Sequence, residues 1–125
     1  MILTDICTYI KAKTGISKIY EETFPSETEC VMARGDPSGA KVDEYLDGTE
    51  AGEQLVTFHC RSASQTTAKN QLELIFRAVK NACMDITGYD MITCERVTSV
   101  SLINKTETKI YTFAFSARVI WNRSN

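Results

Sequence analysis

The sequence predicts an α+β fold: a mainly antiparallel sheet of about four to five strands, with one short N-terminal helix and one long helix packed on one face, in the order α-β-β-β-α-β-β. Three observations predict it. Residues 62–88 carry a single apolar stripe at helical spacing. Residues 109–121, KIYTFAFSARVIW, alternate with a period of two. Hairpin-like segments flank the helix on both sides, within a chain of 125 residues that suits one domain spanning 1–125.

The elements follow in order. Over residues 2–13, Leu3, Ile6, Cys7 and Ile10 share one helical face. Thr4 and Asp5 place oxygens and negative charge near its start, and Gly15 suits its end. SKIYEE reads as a brief strand and TFPSETE as a turn, because Pro25 cannot sit in a central strand. CVMAR, 30–34, is a short apolar strand. Gly35, Pro37, Gly39, Gly48 and Gly52 then predict a long mobile loop over about 35–52, longer than compact domains usually carry without a purpose. In EQLVTFHCR, 53–61, Val56, Phe58 and Cys60 point one way, and Thr57, His59 and Arg61 the other. Ser62 and Gln65 form an S-x-x-Q capping box. The long helix behind it repeats Ala68, Leu72, Ile75, Val79, Ala82 and Ile86, widened by Phe76 and Cys83, and Gly88 stops it. The strand DMITCERVTSVSLI alternates irregularly, which marks a bulge. NKTET, 104–108, turns the chain into the last strand, where Tyr111, Phe113, Phe115, Ala117, Val119 and Trp121 line one face.

Composition excludes several functions. Net charge is −2 with scattered basic residues, which argues against a broad nucleic-acid surface. No apolar run reaches the length that spans a bilayer, so no membrane partner is expected. The start, MILTDICTYIKAK, makes a poor signal peptide. The 5 cysteines have no C-x-x-C spacing and sit among apolar residues, as free thiols in a reducing cytoplasm do. Asn104-Lys-Thr and Asn122-Arg-Ser match the glycosylation pattern by chance on this reading.

Candidate chemistry is sparse. Asp43, Glu44, Asp47 and Glu50 crowd around Gly48, like part of a calcium loop. Counted from Asp43, however, position three is Tyr45 and position twelve is Gln54, so the closing bidentate Glu is missing. Arg34-Gly35-Asp36 matches an integrin-binding tripeptide, but Pro37 biases Asp36 toward extended backbone and no secretory route is evident. His59 is the only histidine, and no nucleophile or carboxylate is spaced to work with it. No nucleotide, hydrolase or metalloprotease motif is present. The chain is expected to be no enzyme and to hold no metal or cofactor. Surface clues point to assembly instead. Leu74 lies opposite the helix stripe and Met84 well off it. The second face of the last strand mixes Ile110, Ala114 and Ile120 with Thr112, Ser116 and Arg118, as a face half covered by another subunit would. Leu74, Met84, Arg118 and Ile120 are therefore the candidate subunit interface.

The order of elements resembles the tail terminator (tail completion) proteins of long-tailed bacteriophages, including those labelled phage minor capsid proteins. The likeness covers about residues 4–121. It is carried by the short first helix, the Y-x-x-x-F-P turn from Tyr20 to Pro25, ETECVMAR, the Gly/Pro loop, LVTFHCRS, the long helix with its Gly stop, and the final SARVIW. The acidic stretch 43–53 departs from the pattern by its length. The resemblance implies a structural protein of the virion, assembled in the bacterial host cytoplasm and needing no catalytic residues. Such proteins form rings, usually hexamers, that cap the tail tube, stop its growth and dock to the head connector, while DNA passes through the lumen without specific binding. An acidic balance would suit such a channel. On this implication the long loop is a docking element, with Arg34, Asp36, Lys41, Asp43, Glu44, Tyr45 and Asp47 as its contact residues. A head completion (stopper) protein, acting from the other side of the same joint, is the alternative within this class. A small cytoplasmic enzyme or binding domain of a mobile element is the alternative outside it, and would reveal itself by a pocket with converging polar groups.

Overall fold

The computed structural model describes residues 2–16, 18–22, 28–44, 50–79, 86, 88, 89 and 91–123, with the backbone alone at 2, 36–44, 91 and 96. Two helices cover one face of a six-stranded sheet. The elements are α1 (Ile2–Thr14), β1 (Tyr20–Glu21), β2 (Cys30–Glu44), β3 (Glu50–Ser62), α2 (Gln65–Val79), β4 (Met91–Arg96), β5 (Ser101–Lys105) and β6 (Tyr111–Arg123). The strand order is β1-β2-β3-β6-β4, with β5 beside β4 along the outer side of β6. β1 pairs with β2 in parallel, and every other pair is antiparallel. The α+β class thus holds.

Burial follows the sequence pattern. On α1, Leu3, Ile6, Cys7 and Ile10 are buried; on α2, Ala68, Leu72, Ile75 and Val79 are. Of the rest of the predicted α2 stripe, Ala82 and Cys83 lie outside the described residues and Ile86 lies beyond the helix, which ends at Val79. They meet Val31 and Ala33 of β2, Val56, Phe58 and Cys60 of β3, Ile92 and Cys94 of β4, and the odd-numbered residues of β6. Phe115 sits at the centre. Its ring stacks on Phe58 at 5.2 Å and meets Phe76 edge-on at 6.0 Å. Gly15 ends α1 at φ 78, donating its N–H to the Lys11 carbonyl at 3.0 Å, the left-handed close that glycine adopts without a Cβ penalty.

Three expectations need correction. The predicted loop over 35–52 is in large part a β-arm. β2 continues to Glu44 and pairs with β3 from Asp36↔Leu55 to Glu44↔Glu50, with one irregularity between Asp36 and Lys41. Glycine and proline signals there mark the bulge, where the ladder needs no N–H from Pro37, rather than the end of the strand. Ser62 is not the cap of α2. It is the last residue of β3, and Ser64 caps the helix: its Oγ accepts from the Thr67 N–H at 3.2 Å. As expected, Asp5 places negative charge in the first turn of α1, and Thr4 Oγ1 donates to Glu21 at 2.6 Å. Finally, the predicted strand over 90–103 is two strands, which brings the sheet to six. Residues 97–100 stand opposite only 115–116 of β6. The Ser116 carbonyl accepts from Val97 at 2.8 Å and from Thr98 at 3.2 Å, and its N–H donates to Thr98 Oγ1 at 2.8 Å. The expected irregularity is therefore an excursion anchored on Ser116 through Val97 and Thr98.

Candidate assembly surfaces

The uncovered face of the sheet is built from alternate residues of β2, β3, β6 and β4. Register places Met32 beside His59 and Ala114, Arg34 beside Thr57 and Ser116, and Leu55 beside Arg118 and Glu95. The middle of this face is nearly closed to water: Met32 is 4% exposed, Ala114 6% and Thr112 7%. Thr57 and Ser116 share a hydroxyl hydrogen bond of 3.0 Å. Burial, reinforced by the nearby Arg34 charge, pushes the His59 pKa down, so the imidazole stays neutral in this setting. Toward the β5–β6 turn the face opens into a groove of ≈ 450 Å³, whose walls include His59, Arg61, Thr112, Ile103 and Ile110.

The predicted interface residues separate. Arg118 and Ile120 lie on this uncovered face, Arg118 exposed and in an ion pair with Glu95 at 3.3 Å, Ile120 half-buried between Glu53 and Thr93. Leu74 is 43% exposed on the outer side of α2, so the two groups look in opposite directions. Met84 lies outside the described residues. The predicted docking residues fall along the arm. Arg34 is exposed and paired in register with Thr57; Asp36, Lys41, Asp43 and Glu44 are strand residues of β2; Tyr45 and Asp47 lie outside the described residues. The Arg-Gly-Asp tripeptide is a paired strand segment. Its buried Gly35 directs its N–H to Glu22 Oε1 at 3.4 Å. Such a segment is not a loop tip offered to a receptor. Of the calcium-like cluster, Asp43 and Glu44 are strand residues and Asp47 and Gly48 lie outside the described residues.

Two features escaped the sequence reading. One is the edge at β4 and β5. All five residues of β5 are exposed, and Val97, Leu102 and Ile103 are among the few large apolar side chains that face solvent. A single irregular strand in the sequence hid this edge. The other is a polar clamp at the far end of the β2–β3 ladder, beside its last pair Glu44↔Glu50. Tyr89 donates its hydroxyl to Asp5 Oδ2 at 2.7 Å and lies under the Arg123 guanidinium at 5.7 Å, while Arg123 pairs with Glu50 at 3.2 Å. Its members stand up to 118 positions apart, beyond any spacing argument. Burial, with the bond to Asp5, pushes the Tyr89 hydroxyl up to about 12.

Burial keeps three of the thiols in the protonated form. Cys7, Cys60 and Cys94 are buried free cysteines, and burial pushes each up to about 12, far from the thiolate form that attacks electrophiles or binds metal. Among the described residues, no helix is long and apolar enough to cross a membrane.

Comparison with known proteins bears on the fold. No protein-family model matches the chain, and no curated protein matches it. In structure it is similar to a chain of the virion of a native gene transfer agent (GTA) particle, with a TM-score of 0.62 at 12% identity, over 90% of this chain and 84% of that one. At that identity the likeness is one of fold.

Proposed function

We propose that this chain is a structural virion protein of a phage-like particle, acting at the head–tail joint as a ring-forming tail terminator. The observation that carries the reading is the shared fold: nine-tenths of the chain superposes on a subunit built into a virion. The surfaces support it. A terminator needs a lateral contact with its own copies and two docking ends, and this small domain offers an exposed apolar sheet edge, a half-apolar uncovered face and a long β-arm. On this reading the partners are further copies of the chain, most simply six in a ring, then the tail tube protein and the head connector. The role is non-catalytic and needs no cofactor. DNA passes the lumen without specific binding, consistent with a net charge of −2. The site of action is the virion, after assembly in the host cytoplasm.

Electron microscopy of particles made without this chain tests the reading. Overlong or headless tails are the expected result. Tails of normal length on filled heads would exclude a terminator.

A further inference from the structure

The fold gathers cations that the sequence scatters. Register puts the start of β2, the end of β3, the start of β6 and the end of β5 at one end of the sheet: Cys30 faces Arg61, and Tyr111 lies between Ser62 and Lys105. The helix layer closes the same end. α2 starts at Gln65, just after β3, while Ile16 and Lys18, which follow α1, line a cavity with Cys30 and Val31. Cations reach this end from both layers. α1 finishes on Lys11 and Lys13, and Lys18 comes next. Arg61 stands near the end of β3, and Lys69 one turn into α2. Lys105 closes β5, and Lys109 lies in the turn to β6. The carboxylates beside them, among the described residues, are Glu29, which accepts the Ala63 N–H at 3.3 Å, and Glu107. Glu21 and Glu22 lie lower, level with Ala33 and beyond. Two observations leave the lysine charges available. Among the described residues none of these lysines forms an ion pair, whereas Arg118 and Arg123, toward the other end, are paired with Glu95 and Glu50. Four of the lysines instead rest over aromatic rings: Lys13 over Tyr9 at 5.6 Å, Lys18 over Tyr20 at 5.8 Å, Lys69 over Phe113 at 5.8 Å and Lys105 over Tyr111 at 5.6 Å. A ring restrains an ammonium through its quadrupole without cancelling the charge, so these cations are placed in advance of any ligand.

We propose that this end of the domain is a sequence-independent contact for the phosphate backbone of double-stranded DNA. The choice of ligand rests on the virion reading above, in which DNA is the polyanion that passes this chain. The net charge of −2 does not oppose the contact. Salt screens charges beyond about 8–10 Å, so a phosphate at this end responds to the lysines near it and not to the average over both ends. Ammonium–phosphate contacts hold the duplex without reading its bases, which agrees with passage that involves no specific binding. If the four ring-held lysines each neutralise one phosphate, log affinity falls with log salt at a slope of about −3.6, which is roughly 100-fold between about 50 and 200 mM salt.

Fluorescence anisotropy of a labelled DNA duplex, titrated with the full chain at several salt concentrations, tests this. The wild type is expected to bind duplexes of unrelated sequence alike, with the slope given above. Lys69→Gln with Lys105→Gln should reduce the slope by about 2 and weaken binding, because two phosphate contacts are lost. Lys69→Arg with Lys105→Arg keeps both charges and should bind as the wild type does. Arg77→Gln with Arg118→Gln removes the same net charge away from this end, and should also leave binding unchanged. Far-UV circular dichroism and urea midpoints check the fold of each variant. Lys13→Gln with Lys18→Gln repeats the test on the α1 side, should the first pair disturb folding. Three results would overturn the assignment. One is no binding by the wild type at about 50 mM salt. Another is an equal loss from the lysine and arginine glutamine pairs, which would reflect charge on the molecule as a whole. The third is displacement of the labelled duplex by poly-glutamate at a lower charge concentration than by unlabelled duplex, which would give the surface to an acidic protein. Tail length in the microscopy above is scored on particles and binding on the free chain. A normal tail phenotype therefore sinks the terminator reading, and absent binding sinks only this inference.

Discussion

Raising the pH should unfold this protein through its buried thiols. Cys7, Cys60 and Cys94 are 1%, 2% and 3% exposed. Burial raises each thiol from the ordinary 9.0 to about 12; Glu21, Cys30 with Glu29, and Glu95 respectively add to the effect. A thiol whose native pKa lies above its unfolded value contributes stability that is complete below pH 9. That stability is lost as pH rises toward 12, because the unfolded chain releases the proton first. Each thiol then costs ~1.4 kcal/mol per pH unit across that window, or ~4 kcal/mol in full. The three together approach ~12 kcal/mol, comparable with the whole stability of a domain, about 5–15 kcal/mol. Urea midpoints at intervals between pH 8 and pH 11 should therefore fall steeply above pH 9. The triple variant Cys7→Ala, Cys60→Ala, Cys94→Ala starts lower, by roughly 1 kcal/mol per site for the lost sulfur packing. Its slope between pH 9 and 10 should be nearly flat. That interval is the cleanest, since Tyr89, itself raised from 10.0 to about 12, adds its own loss above pH 10. Equal slopes in the two proteins there would refute the reasoning.

Other perturbations address single links. Phe115→Ala should cost about 3–5 kcal/mol in urea unfolding, because it empties the site between Phe58 and Phe76, and Phe115→Leu should cost clearly less. Ser64→Ala should cost about 1 kcal/mol by removing the cap on Thr67 N–H, with the loss seen as faster amide exchange in the first turn of α2. Leu74→Glu should change the monomer's stability by no more than ~0.5 kcal/mol, since the side chain is 43% exposed, yet lower incorporation into particles if that side of α2 docks. An unfolded L74E monomer would contradict the helix phase assigned here.

Local periodicity sufficed where one face of an element is buried against the core. The stripe of α1, that of α2 as far as Val79, the inward residues of β3 and the aromatic row of β6 were all legible, because burial forces a spacing of 3.6 or 2 on apolar residues. The class α+β followed from their order. Legibility failed where non-local pairing decided the outcome. Residues 35–44 look like loop because glycine, proline and acidic residues dominate them, yet β3 supplies backbone partners to the far end. The cap passed from Ser62 to Ser64 because β3 runs one residue past its predicted end at Arg61, and Ser62 is buried there. The split between β4 and β5 comes from Ser116 on another strand, and the Asp5–Tyr89–Arg123–Glu50 clamp joins four distant segments. So the residues of this chain were enough to define what must be buried, since hydrophobic patterning is local. Which strand edges stay open among the described residues was decided only by the tertiary structure, because a strand's free side depends on which strand has taken the other.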